Sequence, residues 1–290
     1  MPAKPKSLTT VGLVQTFLAA AFVVWLLFFP STGDRFAWPV VPRQTAMLIG
    51  ASFLARAFLG VHLWRGKYWH ELRWQEWGNY GFLVVIMLAT FWHVDEMNWK
   101  TDIVVAHIWV IAYVVEPLML PLITPRGPRK NEPLPAELQK GPVLMGLKWL
   151  SAAALVVGVS LAGLLFINPT FMDTRWPWTL DPFDARIMAA FLILGSLWAA
   201  HIYFAEDWAE ARSGVAGLVL FASSNFVVWL INLPITDFSR NNVWTFGIGM
   251  GLFAALYAFY YWRHERIALG SLRPEPRPPV LERGDVPANL

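Results

Sequence analysis

The chain has no cysteine, and only 15 % of its 290 residues are charged. The first absence excludes disulfides, thiolate metal centres, cysteine nucleophiles and cofactors attached through cysteine, such as c-type haem. The second excludes an ordinary soluble domain, in which roughly a quarter of residues carry charge. No GxxxxGKS phosphate loop, HExxH or GxSxG occurs, so the motif-bearing NTPases, zincins and serine hydrolases find no support. Nor do the apolar stretches alternate in polarity at every second residue, which excludes a β-barrel. What the chain does have is hydrophobic residues, 56 % of the total. They come in blocks of about 20, the length that crosses a hydrocarbon core of about 30 Å at 1.5 Å per residue.

The blocks predict membrane helices at about 11–29, 45–64, 78–93, 102–123, 145–167, 185–204, 214–233 and 243–262. The first follows Lys4 and Lys6 but runs on through Val23-Val24-Trp25-Leu26-Leu27 without a small-residue cleavage site, so it is read as a helix and not a signal peptide. A motif recurs between the first and second helices of each half. Pro30, Asp34, Arg35, Trp38 and Pro42 in the first half find their match in Pro169, Asp173, Arg175, Trp178 and Pro182 in the second, with one residue inserted. The expected fold is therefore an all-α integral membrane protein. Its eight transmembrane helices form a tandem parallel repeat of two four-helix units, at 1–125 and 144–266. A linker rich in proline and charge, 126–143, joins the units, and a Pro-rich tail, 267–290, follows them.

Lysine and arginine cluster on alternate connections. Lys4, Lys6, Arg65, Lys67, Arg73, Arg126, Arg129, Lys130, Lys140, Lys148, Arg212 and the tail arginines fall on one side. Arg35, Arg43, Lys100, Arg175, Arg186 and Arg240 fall on the other. The positive-inside rule then puts both termini in the cytoplasm and the repeated turn outside, in a cytoplasmic membrane. The net charge of +3 follows from these loops and requires no nucleic-acid partner. The expected partners are the lipid bilayer and other membrane protein subunits.

Ionisable residues within spans are functional candidates by default, because they are costly in lipid. Arg56 and Glu116 fall at depths that agree within about 5 Å at the helical rise, which predicts a buried ion pair. Pro117, directly after Glu116, predicts a kink there. Histidines supply weaker candidates. His93 and His107 flank Asp95 and Glu96 in a pattern suited to zinc or iron, and His62 and His201 sit at equivalent places in the two halves, where a b-type haem could lie between them. No particular cofactor is specified. Trp38, Trp176 and Trp178, like the tryptophans near other helix ends, are expected at the headgroup level. Gly247 and Gly251 have the GxxxG spacing of close helix contact.

Three functions compete on this reading. A non-catalytic accessory subunit of a membrane complex fits the sparse ionisable residues and the Pro-rich tail. A transporter or binder of a small or lipidic molecule fits the repeat and the Arg56–Glu116 pair. A haem- or metal-binding redox protein rests on the histidines alone.

Overall fold

The computed structural model describes residues 6–66, 69–100, 103–124, 139–240 and 242–271. Helix α1, Lys6–Val23, continues through a π-helical turn, Val24–Phe28, and stops before Pro30, which cannot continue the backbone ladder. Helix α2, Arg43–Arg65, starts behind Pro42 and ends at Gly66. Helix α3 is Trp69–Trp92. Helix α4 begins as Ile103–Val110, passes through a π-helical turn at Ile111–Val115 and resumes as Glu116–Ile123. The distortion falls just before Pro117, which lacks the N–H that would reach the carbonyl one turn back.

Helices α5, Met145–Ile167, and α6, Pro182–Phe204, flank the second turn. Asp181 caps α6 by accepting the Phe183 N–H at 2.8 Å, with proline in the first helical position. Helix α7, Trp208–Asn232, is capped by Asp207, and α8 is Val243–Ser271. Among the described residues the only strand-like pairing is an isolated bridge between Pro142 and Asp207.

Among the described residues seven helices are long and apolar enough to cross a membrane, so the chain is an all-α, multi-pass membrane protein. Helix α3 is not one of the seven. Its first half carries Glu71, Arg73, Glu76 and Asn79 and starts nine residues before the expected span at 78–93. Helices α7 and α8 also run beyond the apolar blocks that announced them. Residues 125–138 and 272–290, which include most of the expected linker and tail, lie outside the described residues.

Burial separates an inner layer from an outer one. The central stretch of α2 is 72 % buried, whereas those of α5 and α8 are 17 % buried. The largest contacts join α1 to α2, α5 to α6, α3 to α6, α7 to α8 and α2 to α7. Two of these, α3–α6 and α2–α7, tie the halves of the chain together. Small residues allow the close approaches. A Cβ on Gly12 would meet the Trp64 backbone, and one on Gly60 would meet the Thr16 backbone, so α1 and α2 run antiparallel at near-backbone contact. Trp198 of α6 lies between Gly78 of α3 and Gly217 of α7, where a Cβ would come within 2.7 and 2.4 Å of the indole. Gly247 and Gly251 also receive rings, those of Trp229 and Phe226, rather than a helix backbone.

Candidate functional site

The two turns are the first place where the halves meet. Pro30–Arg35 forms a 3-10 turn and Pro169–Asp173 a single α-turn, and each leads into an extended stretch that ends at the proline of the next helix. Trp38 is 1 % exposed and donates its indole N–H to Asp184 of α6 at 2.8 Å. Trp178 donates to Thr45 of α2 at 2.9 Å. Each turn thus reaches the start of the second helix in the opposite half. Trp38, Trp176 and Trp178 are buried within the protein rather than presented outward. An indole beside a helix end gives the same sequence cue for either environment. Trp64, Trp77, Trp92, Trp244 and Trp262 are exposed, as a belt requires.

Asp34 and Arg35 are exposed, as is Arg175, whose guanidinium lies 3.7 Å from the centre of the Phe171 ring. Asp173 accepts the Leu180 N–H at 2.8 Å. The connection after α3 fastens the first turn through Asn98, which donates to the carbonyls of Asp34 and Phe36. The connection after α7 fastens the second through Arg240, which donates to the carbonyls of Asp173 and Trp176.

Histidines also sit where elements meet. His93 stacks on Phe183 at 4.7 Å, its Nδ1 is 2.7 Å from Glu96, and its Nε2 is 2.5 Å from the Arg186 guanidinium. Arginine only donates, so Nε2 is the acceptor and Nδ1 carries the proton toward Glu96. Both ring nitrogens are then engaged within the protein. His107 is exposed on α4 against Trp99, and Asp95 is exposed in the turn after α3. The Nε2 of His201 meets the Glu210 carbonyl at 3.0 Å and so is a donor. His62 lies against Phe58 of its own helix. Among the described residues no group of three or more His, Asp or Glu side chains is arranged to hold a metal ion.

The most concentrated polar chemistry lies inside the bundle. Arg56, 2 % exposed, donates from Nη2 to Glu116 Oε1 at 2.8 Å, and the Gln15 amide donates to the same oxygen. The guanidinium carbon is 5.3 Å from the centre of the Phe82 ring, a cation–π distance. Tyr113, one turn before Glu116, is buried alongside. Glu76 and Asn79 stand one turn apart on α3, with Phe82 one turn further along the same face. The Glu76 side chain is 3 % exposed and lies within electrostatic reach of Arg56 and Glu116. Asn79 is close enough to act on it, yet neither Glu76 oxygen nor either amide atom of Asn79 meets hydrogen-bond geometry. Arg56 Nη1 and Gln15 Oε1 are also buried without partners.

The structure thus brings Arg56 and Glu116 together and adds Gln15, Glu76, Asn79 and Tyr113, none of which the sequence reading selected. Gln15 had a visible signal as a lone amide within an apolar run. Glu76 did not stand out, because the apolar block at 78–93 left it outside the expected span, and Asn79, inside that span, was passed over as an uncharged residue near its end.

A lateral groove of about 560 Å³ between α1 and α4 reaches this cluster. Val11, Val14, Leu18, Ile111 and Met119 are among its apolar lining, and its polar part is Ser7, Thr10, Gln15 and Glu116. A smaller groove, about 260 Å³, lies among α5, α6, α7 and α8. There Ser196, at the position in α6 that matches Arg56 in α2, is the only polar side chain in the lining. No family model matches the chain, and comparison with curated proteins and with solved structures gives no match either.

Proposed function

We propose that the protein binds or transports a small lipid-soluble molecule, taken from the bilayer into the groove between α1 and α4. The observation that carries this reading is the asymmetry of the two grooves. Both are apolar and open sideways, and each holds a buried polar atom without a partner, Gln15 Oε1 in the first and Ser196 Oγ in the second, but only the first ends on a charged and an amide side chain, Glu116 and Gln15. Buried polar atoms without partners are rare in folded proteins and are best explained by a ligand or water that supplies the missing bonds. An ion pair placed only to clamp helices would have no need of a groove leading to it.

The proposed architecture behind this site is a tandem parallel repeat of two four-helix units, with α3 and α7 as equivalent spans. The reciprocal Trp38–Asp184 and Trp178–Thr45 bonds support it, as does the exchange of partners in the α2–α7 and α3–α6 contacts. The distribution of lysine and arginine supports placing both termini in the cytoplasm and the two turns outside. In this frame Glu76, Arg56 and Glu116 all lie roughly 10–14 Å from the cytoplasmic helix ends, at 1.5 Å per residue.

Purification in a mild detergent, followed by solvent extraction and mass spectrometry, tests the function. A lipophile is expected in stoichiometric amount with the wild type and absent from Val14→Trp, whose ring fills the groove. Recovery of the chain only within a larger assembly, with no retained small molecule, would instead favour the accessory-subunit reading. A Soret band in the visible spectrum would favour haem.

A further inference from the structure

The Gln15 side chain decides which chemistry the groove between α1 and α4 can satisfy. Glu116 Oε1 takes two hydrogen bonds, one from Arg56 Nη2 at 2.8 Å and one from Gln15 Nε2. A carboxylate accepts and does not donate, so the Gln15 nitrogen faces it and the amide oxygen turns away. Gln15 Oε1 is then left without a donor, in a residue that is 4 % exposed and forms part of the groove wall. Glu116, 16 % exposed, stands on the same wall, and among the described residues its second oxygen, Oε2, has no hydrogen-bond partner. Arg56 also has an unused N–H group, but it does not line the groove.

The deep end of the groove thus presents two acceptors and no free donor. A ketone, ether or quinone brings only acceptors, which face the carboxylate and the amide carbonyl with like partial charge. A plain hydrocarbon leaves the amide oxygen unsatisfied. A cation approaching Glu116 meets the Arg56 guanidinium, 2.8 Å from the same carboxylate. A neutral O–H or N–H group satisfies an acceptor and adds no charge. The volume of about 560 Å³ lies within the range of about 300–1,000 Å³ for small-molecule sites.

We infer that the groove is selective for neutral lipophilic hydrogen-bond donors: long-chain alcohols and amides with one O–H or N–H group on a hydrocarbon body. The donor is held by Gln15 Oε1 and Glu116 Oε2, and the body lies along Val14, Leu18 and Ile111. Thr10 and Ser7, about 8 and 12 Å nearer the start of α1 at 1.5 Å per residue, give the entering hydroxyl its first partners. Gln15 sets the specificity, and the Arg56–Glu116 pair positions it by fixing which end of the amide is free. The inference rests on the binding function proposed above and names its substrate class.

The full chain in phosphatidylcholine nanodiscs, with tritiated dodecanol as probe, tests this by scintillation proximity. Saturable binding at one site per chain is expected. Unlabelled dodecanol should displace the probe about tenfold more effectively than dodecyl methyl ether, dodecanone or dodecyltrimethylammonium, because a site built to bond a hydroxyl rejects analogues that lack one. Gln15→Met keeps the side-chain length, removes the amide and should shrink the preference for the alcohol severalfold. Val14→Trp should abolish binding. If Gln15→Met does not yield a monodisperse protein, the wild-type ranking of alcohol, ether and ketone decides. Equal displacement by the ether or the ammonium, or an undiminished alcohol preference in Gln15→Met, overturns the inference. If labelled ether binds as well as the alcohol and is blocked by Val14→Trp, the groove function stands and the donor preference falls. If neither probe binds, both fall.

Discussion

The indole of Trp38 and the carboxylate of Asp184, 146 residues apart, share a 2.8 Å hydrogen bond sealed from solvent. Because Asp184 is wholly buried and its second oxygen has no partner, losing the indole strands a polar group rather than exchanging it for water. Trp38→Phe should destabilise the protein by about 1–3 kcal/mol, the usual cost of an unsatisfied buried group. Asp184→Leu in the Trp38→Phe background should recover part of the loss. Thermal unfolding in detergent, read as a double-mutant cycle, checks both.

The Arg56–Glu116 pair gives a second expectation. Removing one partner leaves the other charge buried and uncompensated, at a cost of about 3–5 kcal/mol. Arg56→Ala and Glu116→Ala should therefore both lower the unfolding temperature sharply. Replacing both together with leucine and methionine should be milder than either single change. A double variant no more stable than the worse single one would show that the pair is not the main interaction of either residue.

Trp198 is held between two glycines, so side-chain volume decides the third prediction. Gly217→Ala places a methyl against the indole and should cost about 1–3 kcal/mol through overpacking. Trp198→Phe combined with Gly217→Ala should regain stability, because the smaller ring leaves room. Gly163→Ala, where a Cβ meets nothing within 4 Å, is the matched control and should be close to neutral.

His93 supplies the fourth. With Nε2 accepting from Arg186 and Nδ1 donating to Glu96, its nitrogen NMR shifts should report a neutral ring with the proton on Nδ1. Arg186→Leu frees Nε2 and should bring the shift of an exchanging imidazole, together with a gain in zinc affinity over the wild type. Unchanged shifts in Arg186→Leu would show that the guanidinium does not hold the tautomer.

Much of the architecture was legible because crossing a bilayer demands length, and length is written in apolar runs. The start of α3 was not, since the polar stretch up to Glu76 looks like a connecting loop until a partner helix is there to bury Glu76. Hydropathy also says little about which side of a helix faces which neighbour. Arg56 and Glu116 could be matched by depth, but nothing linear linked either to Gln15 or Glu76. The fate of Trp38 and Trp178 was hidden for the same reason, because their acceptors lie more than a hundred residues away in sequence. His93 was noticed as a possible ligand, and its engagement by Arg186 could not be read from spacing.

The crossed tryptophans also set an order of events during synthesis. When the first half has emerged and inserted, Asn98 can already hold the first turn, but Trp38 has no acceptor and Thr45 no indole donor. The crossed bonds wait for the ribosome to deliver Trp178 and then Asp184, six residues apart, whereupon both straps can fasten almost together. A nascent chain stalled before that point exposes two unsatisfied polar sites on one face.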